Sequence, residues 1–334
     1  MKILVVKLSS LGDVVHAMPA VQDMRQALPH ADIDWVVEGA FAPLVERCDG
    51  VGRVIGCELR RWRKAPMSAQ TRSEWRAFRD ELHGEAYDAV IDLQGLTKSA
   101  LVARVARLAA GGKRHALANQ TEGSSYEAPT RWVADVAHRI APHVHAVQRS
   151  RELCAMALGY RLPASLRYGL RAHEARTDAG DGAAAAGPVV LVHGSSREDK
   201  SWPESHWLEL GARLIAQSHS IGLPHGSEAE RERSVRLARQ LGARAEVWPR
   251  MELGALADRL AGSAGVIGVD SGLSHIAVAL DRPHVQIYNV DTAWRTGPLA
   301  PSPGGAQQQL SVFAHPAPGV AQVWAAWQQV GPRQ

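Results

Sequence analysis

The chain has 334 residues, 46% of them hydrophobic and 22% charged, with a formal net charge of +4. That length is long for one core and natural for two α/β domains, and no apolar run approaches the ~20 residues of a bilayer span. Met1-Lys2 leads straight into a strand-like run with no secretory leader, and Cys48, Cys57 and Cys154 lack CxxC spacing, so a cytoplasmic, zinc-free protein with apolar cysteines is expected.

Residues 3–6 (Ile-Leu-Val-Val) read as a buried strand and 14–27 as a helix, joined by the small-residue loop Ser9-Ser10-Leu11-Gly12-Asp13. Strands are expected at 32–37, 51–55 and 89–94, with helices at 42–47, 74–82 and 97–108. Residues 116–145 are less regular, with a polar loop at 119–125 and a helix at 130–140, and a further helix covers 147–158. The Gly- and Ala-rich stretch 171–187 reads as a linker. After it the design of the N-terminus repeats, with strand 189–193, a glycine turn at Gly194-Ser195-Ser196 and a helix from about 204. Strands at 220–223, 245–247, 265–269 and 284–288 alternate with helices at 228–241, 253–261 and 273–280, and apolar residues at helical spacing make 320–330 a final amphipathic helix. Repeated strand–helix order predicts α/β architecture, two doubly wound parallel sheets. The domain limits expected are 1–170, 188–315 and a C-terminal helix within 316–334.

In open parallel sheets, ligands bind beyond the carboxyl ends of strands, where helix N-termini present free N–H groups. Three segments sit at such positions. The first offers one carboxylate, Asp13. The second, His193 to Pro203, offers Ser195 and Ser196 in a glycine turn and then Lys200, a cation suited to a phosphate that leaves with negative charge. The third, Val269-Asp270-Ser271-Gly272-Leu273-Ser274-His275, runs from a strand directly into a helix and suits a diphosphate. Neither half carries GxGxxG or GxxxxGK[ST], which argues against a dinucleotide dehydrogenase and a P-loop NTPase. Asp32 and Asp34 resemble a metal-binding DxD, but strand alternation places both on a solvent face, and no metal is expected. Arg60-Arg61-Trp62-Arg63-Lys64 is the densest cationic cluster and suits an anionic partner; no nucleic-acid-binding pattern accompanies it. Its tryptophan is costly to expose without a use.

Taken together, Lys7-Leu-Ser-Ser-Leu-Gly-Asp13, Arg60 to Lys64, Asp92-Leu-Gln-Gly-Leu-Thr-Lys98, His145-Ala-Val-Gln-Arg149, Asp199-Lys-Ser-Trp-Pro203 and Val269 to His275 resemble the lipopolysaccharide heptosyltransferases, in order along nearly the whole chain. Of the two enzyme types, the second begins with a Trp-Val-Gly-Asp type of loop, so the resemblance is to the first. It implies a GT-B fold, with the C-terminal helix free to return to the N-terminal domain. It implies inverting, metal-independent transfer of L-glycero-D-manno-heptose from ADP-heptose to the inner Kdo of Kdo2-lipid A, at the anionic cytoplasmic face of the inner membrane, by a monomer without cofactors. Asp13 would be the base, with Lys200 assisting departure of ADP. The donor would meet Ser195, Ser196, Lys200, Glu230, Met251, Asp270, Ser271, Gly272 and His275. The acceptor would meet Arg60, Arg61, Arg63, Lys64, His145 and Arg149. The chain departs from the family pattern at His225, where a tryptophan is usual, and at Asn289-Val290-Asp291, where Gly-Pro is usual. The alternatives are a related sugar transferase with another acceptor and a non-catalytic nucleotide-binding module.

Overall fold

The computed structural model describes residues 1–173, 187–299 and 307–331, so most of the expected linker, 174–186, lies outside the described residues. The chain divides into two units, Met1–Arg171 and Ala172–Gln334.

The first unit contains β1 (Lys2–Val6), α1 (Leu11–Ala27), β2 (Asp32–Glu38), α2 (Ala42–Val45), β3 (Arg53–Cys57), α3 (Leu59–Trp62), α4 (Ala69–His83), β4 (Tyr87–Asp92), α5 (Thr97–Val105), β5 (Leu108–Leu117), α6 (Pro129–Val133), β6 (Val136–His138) and α7 (Ala146–Leu158). Its sheet runs β3-β2-β1-β4-β5-β6, every neighbour parallel. Crossover helices cover both faces of such a sheet, so its central strands carry continuous apolar runs. In β1, Ile3 to Val6 are fully buried.

The second unit repeats the plan with β7 (Val189–Val192), α8 (Glu204–Ala216), β8 (Ile221–Leu223), α9 (Glu228–Leu241), β9 (Ala245–Val247), α10 (Leu253–Ala261), β10 (Gly265–Val269), α11 (Gly272–Ala279), β11 (His284–Tyr288), α12 (Ala293–Thr296), β12 (Gln309–Phe313) and α13 (Val320–Val330). The order is β12-β11-β10-β7-β8-β9, again all parallel. Both sheets have the Rossmann order, and in each the order reverses between the first and fourth strands of the unit. The polar segments singled out above leave those strands: β1 and β4 in one unit, β7 and β10 in the other.

Several expectations are corrected. The stretch 130–140 is not one helix but α6 followed by the edge strand β6, and β5 and β12 are additional strands. β5 holds Ala109-Ala110-Gly111-Gly112, residues with little intrinsic strand preference. These four residues do not pair with β4: the ladder steps from Tyr87–Leu108 to Ala89–Lys113, and the stretch between, with Gly111 at φ +78°, is a bulge that glycine accommodates. α4 begins at Ala69, where Ser68 caps it by accepting a bond from the Thr71 N–H. α13 packs on β11, β12 and α8, and its Val323, Trp327 and Val330 belong to the second unit's core. Asp34 is not on a solvent face. It is fully buried, accepting from Arg53 at 3.0 Å and from the Tyr87 hydroxyl at 2.9 Å, with Lys2 Nζ 3.3 Å away. Period-2 alternation points to water only where one sheet face is open.

Candidate active site

In the first unit, the β1–α1 turn is fixed from the neighbouring β4 loop. Gln94 Oε1 accepts from the amides of Leu8 at 2.9 Å and Ser9 at 3.1 Å, and Lys98 Nζ donates to Ser9 Oγ at 2.9 Å. Asp13 lies at the third position of α1, where its Oδ2 accepts from the Ser10 N–H at 3.2 Å and from Ser10 Oγ at 3.0 Å. Its Oδ1 faces two cations, Lys7 Nζ at 3.6 Å and Arg149 at 3.7 Å. Burial works to raise the Asp13 carboxyl, but Lys7, then Arg149 and His16, outweigh it and hold the group well below the usual carboxylate range. The carboxylate is therefore ionised at any physiological pH, and it keeps an exposed flank.

The supporting residues Lys7, Asp92, Gln94 and Lys98 were not assigned roles from sequence. The signal was present: a polar residue at the end of a buried strand. Lys7 is 2% exposed and donates to the Leu93 carbonyl at 3.1 Å. Buried Asp92 accepts from the Gln94 and Gly95 amides and from Ser99 Oγ. Burial pushes its carboxyl up to about 6, against the pull of those bonds and of Lys7.

The acceptor-side candidates separate into groups. Arg149 is buried, donating to Thr121 Oγ1 at 3.0 Å beside Asp13. His145 caps α7, its Nδ1 accepting from the Val147 N–H at 3.1 Å. The cationic cluster falls on and after α3. Arg61 is held by Glu74 at 2.7 Å and Glu58 at 3.6 Å. Trp62 is a buried anchor and not an exposed binding group: it is 6% exposed, it packs against Trp75 and Phe78, and its Nε1 donates to Glu74 at 2.7 Å. Anchored in this way, α3 leaves Arg60, Arg63 and Lys64 exposed. Burial and then the charge of Arg60, with a smaller push from Arg63, lower Lys98, the residue that donates to Ser9.

In the second unit, the loops after β7 and β10 meet at Asp270. Its Oδ2 accepts from Lys200 Nζ at 2.5 Å, and its Oδ1 lies 3.3 Å from His275 Nε2, with Gln286 and Thr296 at 3.5 and 3.4 Å. Lys200 is therefore not a free cation but a paired one, and Asp270 is the buried group that orients it and His275. Ser195 Oγ donates to the Asp270 carbonyl at 3.5 Å, and Ser196 is exposed beside it. Ser271 precedes Gly272 at the start of α11, and its buried Oγ has no protein partner. Such an arrangement offers N–H groups, hydroxyls and one ammonium to an anion.

Glu230 closes the α9 capping box, its Oε2 accepting from the Ser227 amide at 3.3 Å and also from the Gly226 amide at 2.6 Å. Its other oxygen presses on Gly194, where a Cβ would lie 2.5 Å away; the β7 turn and Glu230 are thus one site. A recess of about 490 Å³ at the ends of β8 and β9 is lined by His225, Ser227, Arg231, Trp248 and Arg250, among others. Half-buried Met251 follows Arg250 in the chain. Among the described residues, no three His, Cys, Asp or Glu side chains group as a metal would require.

The family model of glycosyltransferase family 9 (heptosyltransferase) matches residues 75–312. The chain belongs to glycosyltransferase family 9. Within the family it is 45% identical over 292 residues to lipopolysaccharide heptosyltransferase 1 of Escherichia coli K12, covering 86% of this chain and 88% of that protein. It is 41% identical to the Pseudomonas aeruginosa protein of the same name, covering 89% and 81%. Among solved structures it is similar to E. coli heptosyltransferase WaaC with ADP, with a TM-score of 0.83, 38% identity and 98% of both chains covered.

Proposed function

We propose that this member of glycosyltransferase family 9 moves L-glycero-D-manno-heptose from ADP-heptose to the inner Kdo of Kdo2-lipid A, with inversion. The observation that carries the reading is Asp13: an ionised carboxylate with one oxygen anchored by Ser10 and the other left without a short hydrogen bond, at the switch point of its sheet. The relatives' names supply the sugar and the acceptor class.

In this mechanism Asp13 Oδ1 takes the proton of the acceptor hydroxyl as its oxygen bonds to the anomeric carbon. The bond from that carbon to the diphosphate breaks on the opposite face, and ADP leaves with the electron pair. A weak base suffices because the hydroxyl becomes acidic only as the new bond forms. Lys200 and the first N–H groups of α11 meet the charge that develops on the diphosphate, while Asp270 keeps Lys200 in place. That charge is met by protein groups, so activity should persist in a chelator. Arg60, Arg63 and Lys64 suit the carboxylates and phosphates of the acceptor.

A lipid acceptor also leads us to propose that the enzyme works on the cytoplasmic, anionic face of the inner membrane, and we propose that it does so as a monomer. Two exposed apolar residues of the first unit support the membrane reading: Trp132 is 78% and Leu101 48% exposed, beside the exposed cations Arg104 and Arg131.

Incubation with ADP-heptose and Kdo2-lipid A should release ADP and yield a heavier lipid. Transfer only to an already heptosylated acceptor would assign another step, and ADP-heptose binding without product under any acceptor would make the chain a binding module.

A further inference from the structure

We infer that Lys7 is a positioning residue for the transfer: buried beside Asp13, it offsets the burial of that carboxylate and keeps it charged, while leaving its Oδ1 open to the acceptor hydroxyl. The inference rests on the proposed role of Asp13.

Lysine is almost never fully buried unless its charge is paired, yet Lys7 is 2% exposed. An ammonium buried there carries a large desolvation cost that a methionine of similar shape would avoid. Its charge is therefore retained for what it faces. The Leu93 carbonyl takes one N–H at 3.1 Å. The nearby anion from β4, Asp92, already accepts from Gln94, Gly95 and Ser99. That leaves Asp13, whose Oδ1 is 3.6 Å from Lys7 Nζ.

Four elements face the base. Lys7 follows β1, His16 and the Ser10 amide belong to the start of α1, Arg149 comes from α7 at 3.7 Å, and Asp92 stands behind Lys7. Lys7 and Arg149 both act on Oδ1 from beyond a good hydrogen-bond distance. They stabilise its charge without occupying the lone pair that a substrate hydroxyl needs. Being buried, Lys7 cannot touch a substrate and acts only through Asp13.

The test is Lys7→Met, with Lys7→Gln as the second variant should the first not fold. In either, kcat/KM should gain an acid limb in or above the usual carboxylate range, where the wild-type profile stays flat, because burial then raises Asp13 without its largest opposing charge. The affinity for ADP, measured by calorimetry, should not change. The carboxyl carbon of Asp13, followed by 13C NMR in protein without substrate, should titrate in the variant over a pH range where the wild-type signal does not move. A variant that loses activity equally at all pH values, with an unmoved Asp13 titration, would make Lys7 merely structural and overturn the inference. If the wild-type protein shows no transfer, the proposed function fails, and the NMR titration still decides the coupling of Lys7 to Asp13.

Discussion

Asp270→Asn should destabilise the second unit by about 3 kcal/mol. Asp270 is 5% exposed and pairs with Lys200, which is 20% exposed, and with the buried His275. Removing one partner of a buried ion pair costs about 3–5 kcal/mol, because the other charge is left without compensation. Lys200 can recover part of its hydration, so the lower end applies. With a urea dependence of about 2 kcal/mol/M, the unfolding midpoint should fall by about 1.5 M. Tryptophan fluorescence reports it, since Trp202, Trp207, Trp248 and Trp327 are all buried in that unit. Burial raises the Asp270 carboxyl, but His275 and Lys200 prevail and hold it well below the usual carboxylate range. A carboxyl lowered in the folded state contributes stability above its unfolded pKa of about 3.9, and that contribution is lost as the pH falls toward the folded value. The gap between wild type and variant should thus be full at pH 7 and shrink below pH 4. Equal midpoints at pH 7, or a gap that widens in acid, would refute the argument.

Asp13→Asn should lower kcat by about 100-fold or more, the usual contribution of a general base, while ADP affinity in calorimetry stays at the wild-type value. Gly194→Ala should weaken ADP binding several-fold and cost about 1 kcal/mol of stability: the new Cβ, 2.5 Å from Glu230 Oε1, displaces that carboxylate from its bonds at the start of α9, and a thermal melt and an ADP titration together check it. Leu101→Ser combined with Trp132→Ser should reduce binding to phosphatidylglycerol vesicles about tenfold or more, since each apolar side chain contributes about 1.5–3 kcal/mol when buried. Turnover on a detergent-free, deacylated acceptor should be unaffected, and vesicle flotation separates the two effects.

Much of this protein is determined locally. The apolar runs at the starts of both halves, the small-residue turns after them and the carboxylate or serines that follow define strand, loop and helix N-terminus through contacts a few residues apart. The positions of Asp13, Ser195 and Asp270 at strand ends follow from this. Pairing between distant strands decided the rest. β5 pairs with β4 through Leu108 and 113–116, and its Ala-Ala-Gly-Gly stretch, which has no strand preference, is left between them as a bulge. Asp34 is buried because both sheet faces are covered, and Trp62 because Trp75 and Phe78 of α4 receive it. The meeting of Lys7, Asp13 and Arg149 shows the same division. Each is visible as a charged residue, but only the packing of α7 against α1 sets two cations on one carboxylate. Coulomb interactions depend on distance in space, and a local sequence pattern does not specify that distance.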